Sequence, residues 1–315
     1  MKKILITGST GLLGSALVKK LNENSNLDLV LLNSKTDLRN QETVDKLFEE
    51  HKPSFVYHLA AKVGGLGANM AGNAEFFRDN ILMNTNILYA ASQCKEVQKV
   101  CSVLSTCIFP DGIDLPIKEI SLHKGEPHNS NFGYAYAKRM QDVYGRALNV
   151  QCQKKKFISV IPNNMYGEHD NFSLKDGHVI PSVIHKLFLA KKNKSSVVEF
   201  WGDGSPLRQF SYAEDVARDM IYCMENYSED LPVNIGNPKE YSIKELVELT
   251  KEIIGFDGEI IWNTEKPNGQ IKKTASTEIF SSNVPNFKYL DLKEGLTKTI
   301  SWFESNYPKI RGCNF

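Results

Sequence analysis

The sequence predicts an α/β fold: a doubly wound parallel sheet followed by a smaller, mixed α/β C-terminal domain. Three observations carry this. Short apolar runs of β character alternate with helical stretches from Lys3 to Pro162, the pattern of βαβ units in a parallel sheet. The first run, Lys3–Thr7, meets a glycine loop, Gly8-Ser9-Thr10-Gly11-Leu12-Leu13-Gly14, which opens into helical spacing over Ser15–Leu21. From 165 to 212 the alternation fades and loops are expected to dominate, which marks the start of a second domain.

Taken in order, the glycine loop is the first ligand-binding element. Glycine keeps the turn tight and lets backbone N–H groups approach a pyrophosphate at a helix N-terminus. Strand, loop and helix in that succession are the context of a dinucleotide fingerprint, so the sheet reads as Rossmann-type. The spacing is G-x-x-G-x-x-G. Asp28–Leu32 reads as the second strand. About twenty residues beyond the glycines, a cofactor without a 2′-phosphate wants a carboxylate for its ribose. The chain offers Asn33-Ser34-Lys35. Ser34 can donate hydrogen bonds and Lys35 can bring charge to a 2′-phosphate, which favours NADP(H) over NAD(H). The alternative is a solvated loop with Asp37 turned back to the ribose.

Gln41–His51 reads as a helix and Phe55–Leu59 as the third strand, ending in Ala60-Ala61-Lys62-Val63-Gly64-Gly65. Small residues there let a cofactor lie close to the backbone. Asn73–Cys94 is a long helix whose aromatic residues are expected in the core or at a subunit interface. Val100–Leu104 is a mostly apolar strand leading into Ser105-Thr106-Cys107. Ligands of such sheets bind outside the carboxyl ends of the strands, so Ser105 and Cys107 are expected to face a substrate. The helix over Tyr134–Asn149 begins Tyr134-Ala-Tyr-Ala-Lys138. Residues four apart share a helix face. A cation beside a phenol lowers its pKa from about 10, and such a tyrosine can give a proton to a forming alkoxide. By itself the pair reads as an exposed Tyr–Lys couple; the glycine loop makes it a catalytic candidate.

Phe157–Pro162 reads as a further strand running into Asn163–Gly167. Tyr212-Ala-Glu-Asp215 opens a helix that returns to the first domain, and Val233–Gly236 reads as a strand. Ser242 and Glu245 form a capping box for a helix to about Ile254. Glu259–Trp262 reads as a strand and Leu292–Tyr307 as the last helix. The expected division is a cofactor domain over 1–164, with a return segment near 213–240, and a substrate domain over 165–212 and 241–315.

At 315 residues about two domains are expected. A net charge of +1 gives no electrostatic footprint for nucleic acid or an acidic membrane surface. No apolar run approaches the roughly 18 residues of a membrane helix, and the apolar stretch after Lys3 is too short for a signal-peptide core. The six cysteines are scattered without a C-x-x-C pair, so neither a disulfide framework nor a zinc site is expected. A reducing, cytoplasmic location follows.

The glycine loop, the Ser34–Lys35 strand end and Tyr134-x-x-x-Lys138 together resemble the extended short-chain dehydrogenases/reductases. Within them the chain is similar to the GDP-L-fucose synthase family over nearly its whole length. The most specific stretches are AAKVGG at 60–65, LSTCIFP at 104–110, PHNSNFGYAYAKRM at 127–140, EHDNF at 168–172, DGHVIP at 176–181, WGDGSPLRQF at 201–210 and NGQIKKTAS at 268–276. The resemblance implies two-step, NADPH-dependent conversion of GDP-4-keto-6-deoxy-D-mannose to GDP-L-fucose: 3,5-epimerisation, then reduction at carbon 4. It implies that Tyr134 protonates the oxygen at carbon 4, Lys138 holds the nicotinamide ribose and Ser105 hydrogen-bonds the carbonyl. Cys107 is implied as the epimerisation base and His178 as the acid. Further cofactor contacts are implied at Pro162, Asn164, Met165 and His178. Lys186, Trp201, Arg208, Asn268 and Lys273 are implied to line the nucleotide-sugar site. Lys186 stands where many bacterial members carry arginine, which keeps charge but loses the bidentate fork. Asn268 stands where aspartate is common. No metal is implied, and the family is typically a homodimer.

Without that pattern, Cys107 at a strand end reads as a small core residue and His178 as a solvated loop histidine. Two other functions stay open on the residues: the same chemistry on another 4-keto nucleotide sugar, such as a GDP-heptose, or a non-catalytic NADPH-binding protein. The set Ser105, Cys107, Tyr134, Lys138 and His178 argues against the latter.

Overall fold

The computed structural model describes residues 2–154, 156–266, 268–284 and 287–313. In chain order the elements are β1 (Lys2–Thr7), α1 (Leu12–Leu21), β2 (Leu27–Leu32), α2 (Gln41–His51), β3 (Phe55–His58), α3 (Leu66–Ala71), α4 (Asn73–Gln93) and β4 (Lys99–Val103). Then follow α5 (Phe132–Cys152), β5 (Phe157–Pro162), β6 (Asn164–Tyr166), α6 (Val179–Lys192), β7 (Val197–Trp201), β8 (Leu207–Tyr212) and α7 (Ala213–Asn226). The chain ends with β9 (Val233–Ile235), β10 (Glu240–Ser242), α8 (Ile243–Ile254), β11 (Glu259–Asn263), β12 (Lys272–Lys273), α9 (Glu278–Asn283) and α10 (Leu292–Asn306).

Six strands form one parallel sheet in the order β2-β1-β3-β4-β5-β9. The order reverses between β1 and β3, the switch point where open α/β sheets bind ligands at the carboxyl ends of their strands. β5 is buried along its whole length, as expected of a strand covered on both faces. One face packs against α1 and α7 through Leu13, Leu17, Val216 and Met220; the other packs against α2, α4 and α5 through Val44, Phe48, Ile87, Leu88 and Leu148.

A separate core gathers α6, α8 and α10 around β7, β8 and β10, with Phe172, Ile184, Leu187, Leu246, Leu296 and Phe303 at its centre. Here β8 pairs with β6, β10 and β12, and β7 pairs with β11. The stretch 165–212 is more regular than the loop-rich segment expected: it holds α6, β7 and β8. Pro181 explains the difference. A proline inside an apolar run argues against a helix, but here it lies in the first turn of α6, where no intrahelical donor is lost. The capping box at α8 is present in both directions: Glu245 N donates to Ser242 Oγ at 3.1 Å and Ser242 N to Glu245 Oε2 at 2.7 Å. Helix α9 lies on the first core, where Phe280 and Val284 pack, although its position in the chain falls within 241–315. Among the described residues no helix is long and apolar enough to cross a membrane.

Candidate active site

The cofactor side begins where β1 ends. Gly8 has φ +68°, and Gly14 sits so close to the returning chain that a Cβ would lie 2.1 Å from the Gly8 oxygen and 2.8 Å from Ser9. Helix α1 starts at Leu12 with Gly11 as an N-cap that makes no side-chain bond, so no capping side chain takes up its first N–H groups. Such an N-terminus suits a diphosphate. The Ser9 hydroxyl donates to the Leu32 carbonyl at 3.0 Å and ties the loop to the end of β2. Beyond β2, Lys35 N donates to Asn33 Oδ1 at 2.9 Å, a turn that presents Ser34 and Lys35 to solvent. Asp37 is held by Arg39, whose Nε and Nη2 donate to its two oxygens at 2.8 and 3.0 Å. That arrangement occupies the carboxylate that would otherwise serve a ribose.

On the other side of the switch point, Thr7 Oγ1 accepts the backbone N–H groups of Leu59 and Ala60, both at 3.0 Å. Its hydroxyl therefore donates to His58 Nδ1 at 2.8 Å, and His58 Nε2 donates to Asn84 Oδ1 at 3.0 Å. Asn84 Nδ2 reaches the Ala137 carbonyl of α5 at 3.3 Å. Burial first, then the charge of Lys138, pushes His58 down to about 3, so it stays neutral in this chain of bonds. The network links the glycine loop, the Ala60–Ala61 turn and the helix bearing Tyr134 and Lys138. Backbone N–H of Lys62 is bound by Asn80 Oδ1 at 3.0 Å, while its ammonium pairs with Asp79 at 3.0 Å and Glu75 at 3.2 Å.

Ser105 follows β4 and caps a short 3-10 turn over Thr106–Ile108, with Cys107 N donating to its Oγ at 3.5 Å. Helix α5 brings Tyr134 to the same place. Its own N-cap, Asn131, makes no side-chain bond; Asn73 of α4 supplies the acceptor, Oδ1 to Gly133 N at 2.7 Å. A Cβ at Gly133 would lie 2.3 Å from that oxygen, so glycine beside Tyr134 is needed for this close approach. Burial and the neighbouring Cys107 raise the Tyr134 phenol well above its ordinary value, while a hydrogen bond with Ser105 works the other way. Lys138 is 1% exposed and donates to the Val103 carbonyl at 2.8 Å and Gln141 Oε1 at 3.1 Å. Burial pushes it down to about 8. The phenol is raised, not lowered as expected: desolvation dominates and keeps Tyr134 protonated, the form in which it can donate. The half-buried Cys107 thiol is raised by burial, against the hydrogen bond from Ser105 and the charges of Lys273 and Lys138.

From the later part of the chain, Lys273 acts on the Cys107 thiol through its charge. Lys273 on β12 is in register with Arg208 on β8, and the chain after it is laced to the first domain by Ile117 N donating to the Thr274 carbonyl at 2.8 Å. Arg208 donates to the carbonyls of Leu207 and Gln270 at 2.7 and 2.8 Å. Lys186 bonds the Glu199 carbonyl and lies 4.8 Å from the centre of the Phe200 ring. Trp201 is exposed, with Lys266 over its ring at 5.9 Å. Asn268 Oδ1 accepts Asp203 N at 2.7 Å, and the same side chain helps hold the Asp203 carboxyl below its ordinary value, after the hydrogen bonds from Ser205. His178 is exposed at the N-terminus of α6, and the nearby Asp170 is buried and raised to about 6, with His178 working against the effect of burial. Pro162 ends β5 beside Ile235; Asn164 Nδ2 donates to the Gln209 carbonyl at 2.9 Å, and Met165 packs on the first core.

Asn73, His58 and Asn84 were not singled out by the sequence, and Asp170 only as part of the EHDNF stretch at 168–172. A buried polar residue in an apolar run, such as His58 in Val56–Leu59, is the signal that could have found one of them.

Known proteins share the fold and most of the length of this chain. Residues 4–236 match the NAD dependent epimerase/dehydratase family. A GDP-L-fucose synthase of Dictyostelium discoideum is 44% identical, with 98% of each chain covered. The crystal structure of a GDP-L-fucose synthetase from Naegleria fowleri bound to NADP superposes with a TM-score of 0.93 at 40% identity, over 98% of this chain and 95% of that one. A GDP-6-OMe-4-keto-L-xylo-heptose reductase from C. jejuni superposes with a TM-score of 0.87 at 28% identity, over 97% and 98%. The chain belongs to the NAD dependent epimerase/dehydratase family and, within it, to the GDP-L-fucose synthases.

Proposed function

We propose that the chain is an NADP(H)-dependent enzyme that converts GDP-4-keto-6-deoxy-D-mannose to GDP-L-fucose by 3,5-epimerisation and 4-keto reduction. The observation that carries this is the meeting of Ser105, Cys107, Tyr134 and Lys138 at the carboxyl end of β4, beside a glycine loop built for a diphosphate. A ketone at carbon 4 acidifies the hydrogens at carbons 3 and 5, and a thiolate at Cys107 removes them; burial opposes that thiolate, while the hydrogen bond with Ser105 and the charges of Lys273 and Lys138 favour it. His178 delivers the proton on the opposite face. Ser105 and Tyr134 donate to the carbonyl oxygen and stabilise the enolate. NADPH, when bound, supplies the hydride for carbon 4. Tyr134, kept protonated by burial, gives its proton to the oxygen there. Lys138 orients the nicotinamide ribose, and Gly8–Gly14 with the N-terminus of α1 hold the diphosphate. Ser34 and Lys35 take the 2′-phosphate. Lys186, Trp201, Arg208, Asn268 and Lys273 hold the nucleotide sugar.

The 28% identity to a heptose reductase supports the runner-up, a 4-keto heptose as the sugar; the 44% relative favours the fucose reading. The test is NADPH oxidation with GDP-4-keto-6-deoxy-D-mannose beside its UDP and dTDP counterparts. Turnover confined to the GDP sugar supports the proposal. No turnover despite NADPH binding would favour a non-catalytic protein.

The active unit is a homodimer in this reading. Helices α4 and α5 pack side by side and leave Leu82, Tyr89, Met140, Val143 and Val150 exposed, an apolar face suited to a second copy. Sedimentation of wild type against Val143→Glu would test it; two monomeric species would refute it. The site of action is the cytoplasm, consistent with six unpaired thiols.

A further inference from the structure

Arg139 follows Lys138 on α5, yet it is only 5% exposed. Its Nε donates to the Ile108 carbonyl at 2.6 Å and its Nη1 to the Gly125 carbonyl at 2.7 Å. The guanidinium lies 5.4 Å from the centre of the Tyr136 ring, and Nη2 is buried without a partner. Ile108 closes the 3-10 turn on which Cys107 rides. Gly125 lies across that loop, near the bridge in which Pro110 pairs with Pro127. One side chain therefore ties the end of the thiol turn to the Gly125 segment, from the helix that carries Tyr134 and Lys138.

A guanidinium presents its donors in a rigid planar fork that fixes the angle between two carbonyls, whereas an ammonium is a compact point charge with rotatable donors. The loop does not need Arg139 for burial. Ile108 and Phe109 are already packed with Leu104, Ile117, Leu122 and Ile161. Burying a guanidinium with an unpartnered arm is costly, and burial pushes its pKa down while Tyr136, Cys107 and Glu126 favour the charged form. What the arginine adds is orientation of the turn and a buried positive charge close to the thiol.

We propose that Arg139 is the positioning residue of Cys107: by bridging the Ile108 and Gly125 carbonyls it sets the thiol relative to Tyr134 and so acts on epimerisation more than on hydride transfer. The claim rests on the assignment of Cys107 as the base. It is tested in the full chain with Arg139→Lys, which keeps a cation and one bond, and Arg139→Met, which keeps neither. Three rates are measured for each. One is deuterium exchange at carbons 3 and 5 of GDP-4-keto-6-deoxy-D-mannose in heavy water without NADPH, followed by NMR. The second is reverse hydride transfer from GDP-L-fucose to NADP+. The third is alkylation of Cys107 by iodoacetamide across pH, read on its peptide by mass spectrometry.

The ratio of exchange to hydride transfer should fall about tenfold or more in both variants, the scale expected when a reacting group is displaced by a fraction of an ångström to an ångström. The Cys107 alkylation profile should shift with it. A ratio unchanged from wild type together with an unchanged alkylation profile would overturn the proposal. If Arg139→Met is insoluble, Arg139→Lys decides alone. An inactive wild type would sink the substrate assignment, and the alkylation rates would then still decide whether Arg139 sets the thiol.

Discussion

Replacing Lys138 by methionine should abolish the reduction while leaving the fold as stable as before, or nearly so. The ammonium is buried, and burial moves it from 10.5 to about 8; at about 1.4 kcal/mol per tenfold change, that is about 3 kcal/mol of destabilisation at neutral pH. The folded-state value lies below the unfolded one, so the unfolded chain binds more protons between pH 8 and 10.5. Stability therefore rises with pH through that window, and the penalty is complete below it. Methionine removes the penalty but leaves the Val103 carbonyl and Gln141 Oε1 without their donor, at about 1–3 kcal/mol for each buried group left unpaired. The two effects nearly offset at pH 7. Urea unfolding of both proteins at pH 7, 9 and 10.5 would show the wild type gaining about 3 kcal/mol on the variant across the series. NADPH oxidation by the variant should fall about a hundredfold or more, the scale of lost acid–base assistance. Parallel stability curves would refute the reasoning, because the buried charge would then have no cost for the protein to carry.

Gly14→Ala should weaken NADPH binding about tenfold or more with a stability loss of about 1–3 kcal/mol, the usual range for overpacking; its Cβ would meet the Gly8 oxygen at 2.1 Å. Unchanged affinity in a fluorescence titration would remove the loop from the cofactor site. Lys35→Asp should weaken NADPH binding much more than NADH binding, since the lysine is exposed at the end of β2 with no carboxylate in the ribose position. Equal effects on the two cofactors would sink the NADP assignment. Tyr134→Phe should lower reduction by about 10²–10⁴ with the fold intact; near-normal turnover would show that a different acid serves carbon 4.

Local patterns were legible in the sequence because they are written over a few consecutive residues. The glycine loop, the apolar strands and the Ser242–Glu245 capping box each specify their own backbone. Helix α6 was not read in the 165–212 stretch; Pro181 sits in its first turn, where it removes no intrahelical donor. The positioning contacts were hidden for another reason: they join distant positions. Asn73 caps a helix sixty residues ahead, and His58 ties β3 to Asn84 on α4. Lys273 acts on Cys107 only because β12 runs beside β8 while the chain beyond it bonds to Ile117. Sequence spacing also misjudged the sign at Tyr134. Four residues on a helix suggest a lysine acting on a phenol, but burial of that helix is the largest influence on Tyr134 and raises it.

The central claim is that one site runs epimerisation through Cys107 and reduction through Tyr134 on a GDP-linked 4-keto sugar. The most direct measurement is NMR of GDP-4-keto-6-deoxy-D-mannose incubated with the protein in heavy water, first without NADPH and then with it. Deuterium should enter at carbons 3 and 5 before any cofactor is added, Cys107→Ser should stop this, and NADPH should then yield GDP-L-fucose in the wild type. Undiminished exchange at both carbons in Cys107→Ser, or reduction without exchange in the wild type, would contradict the account.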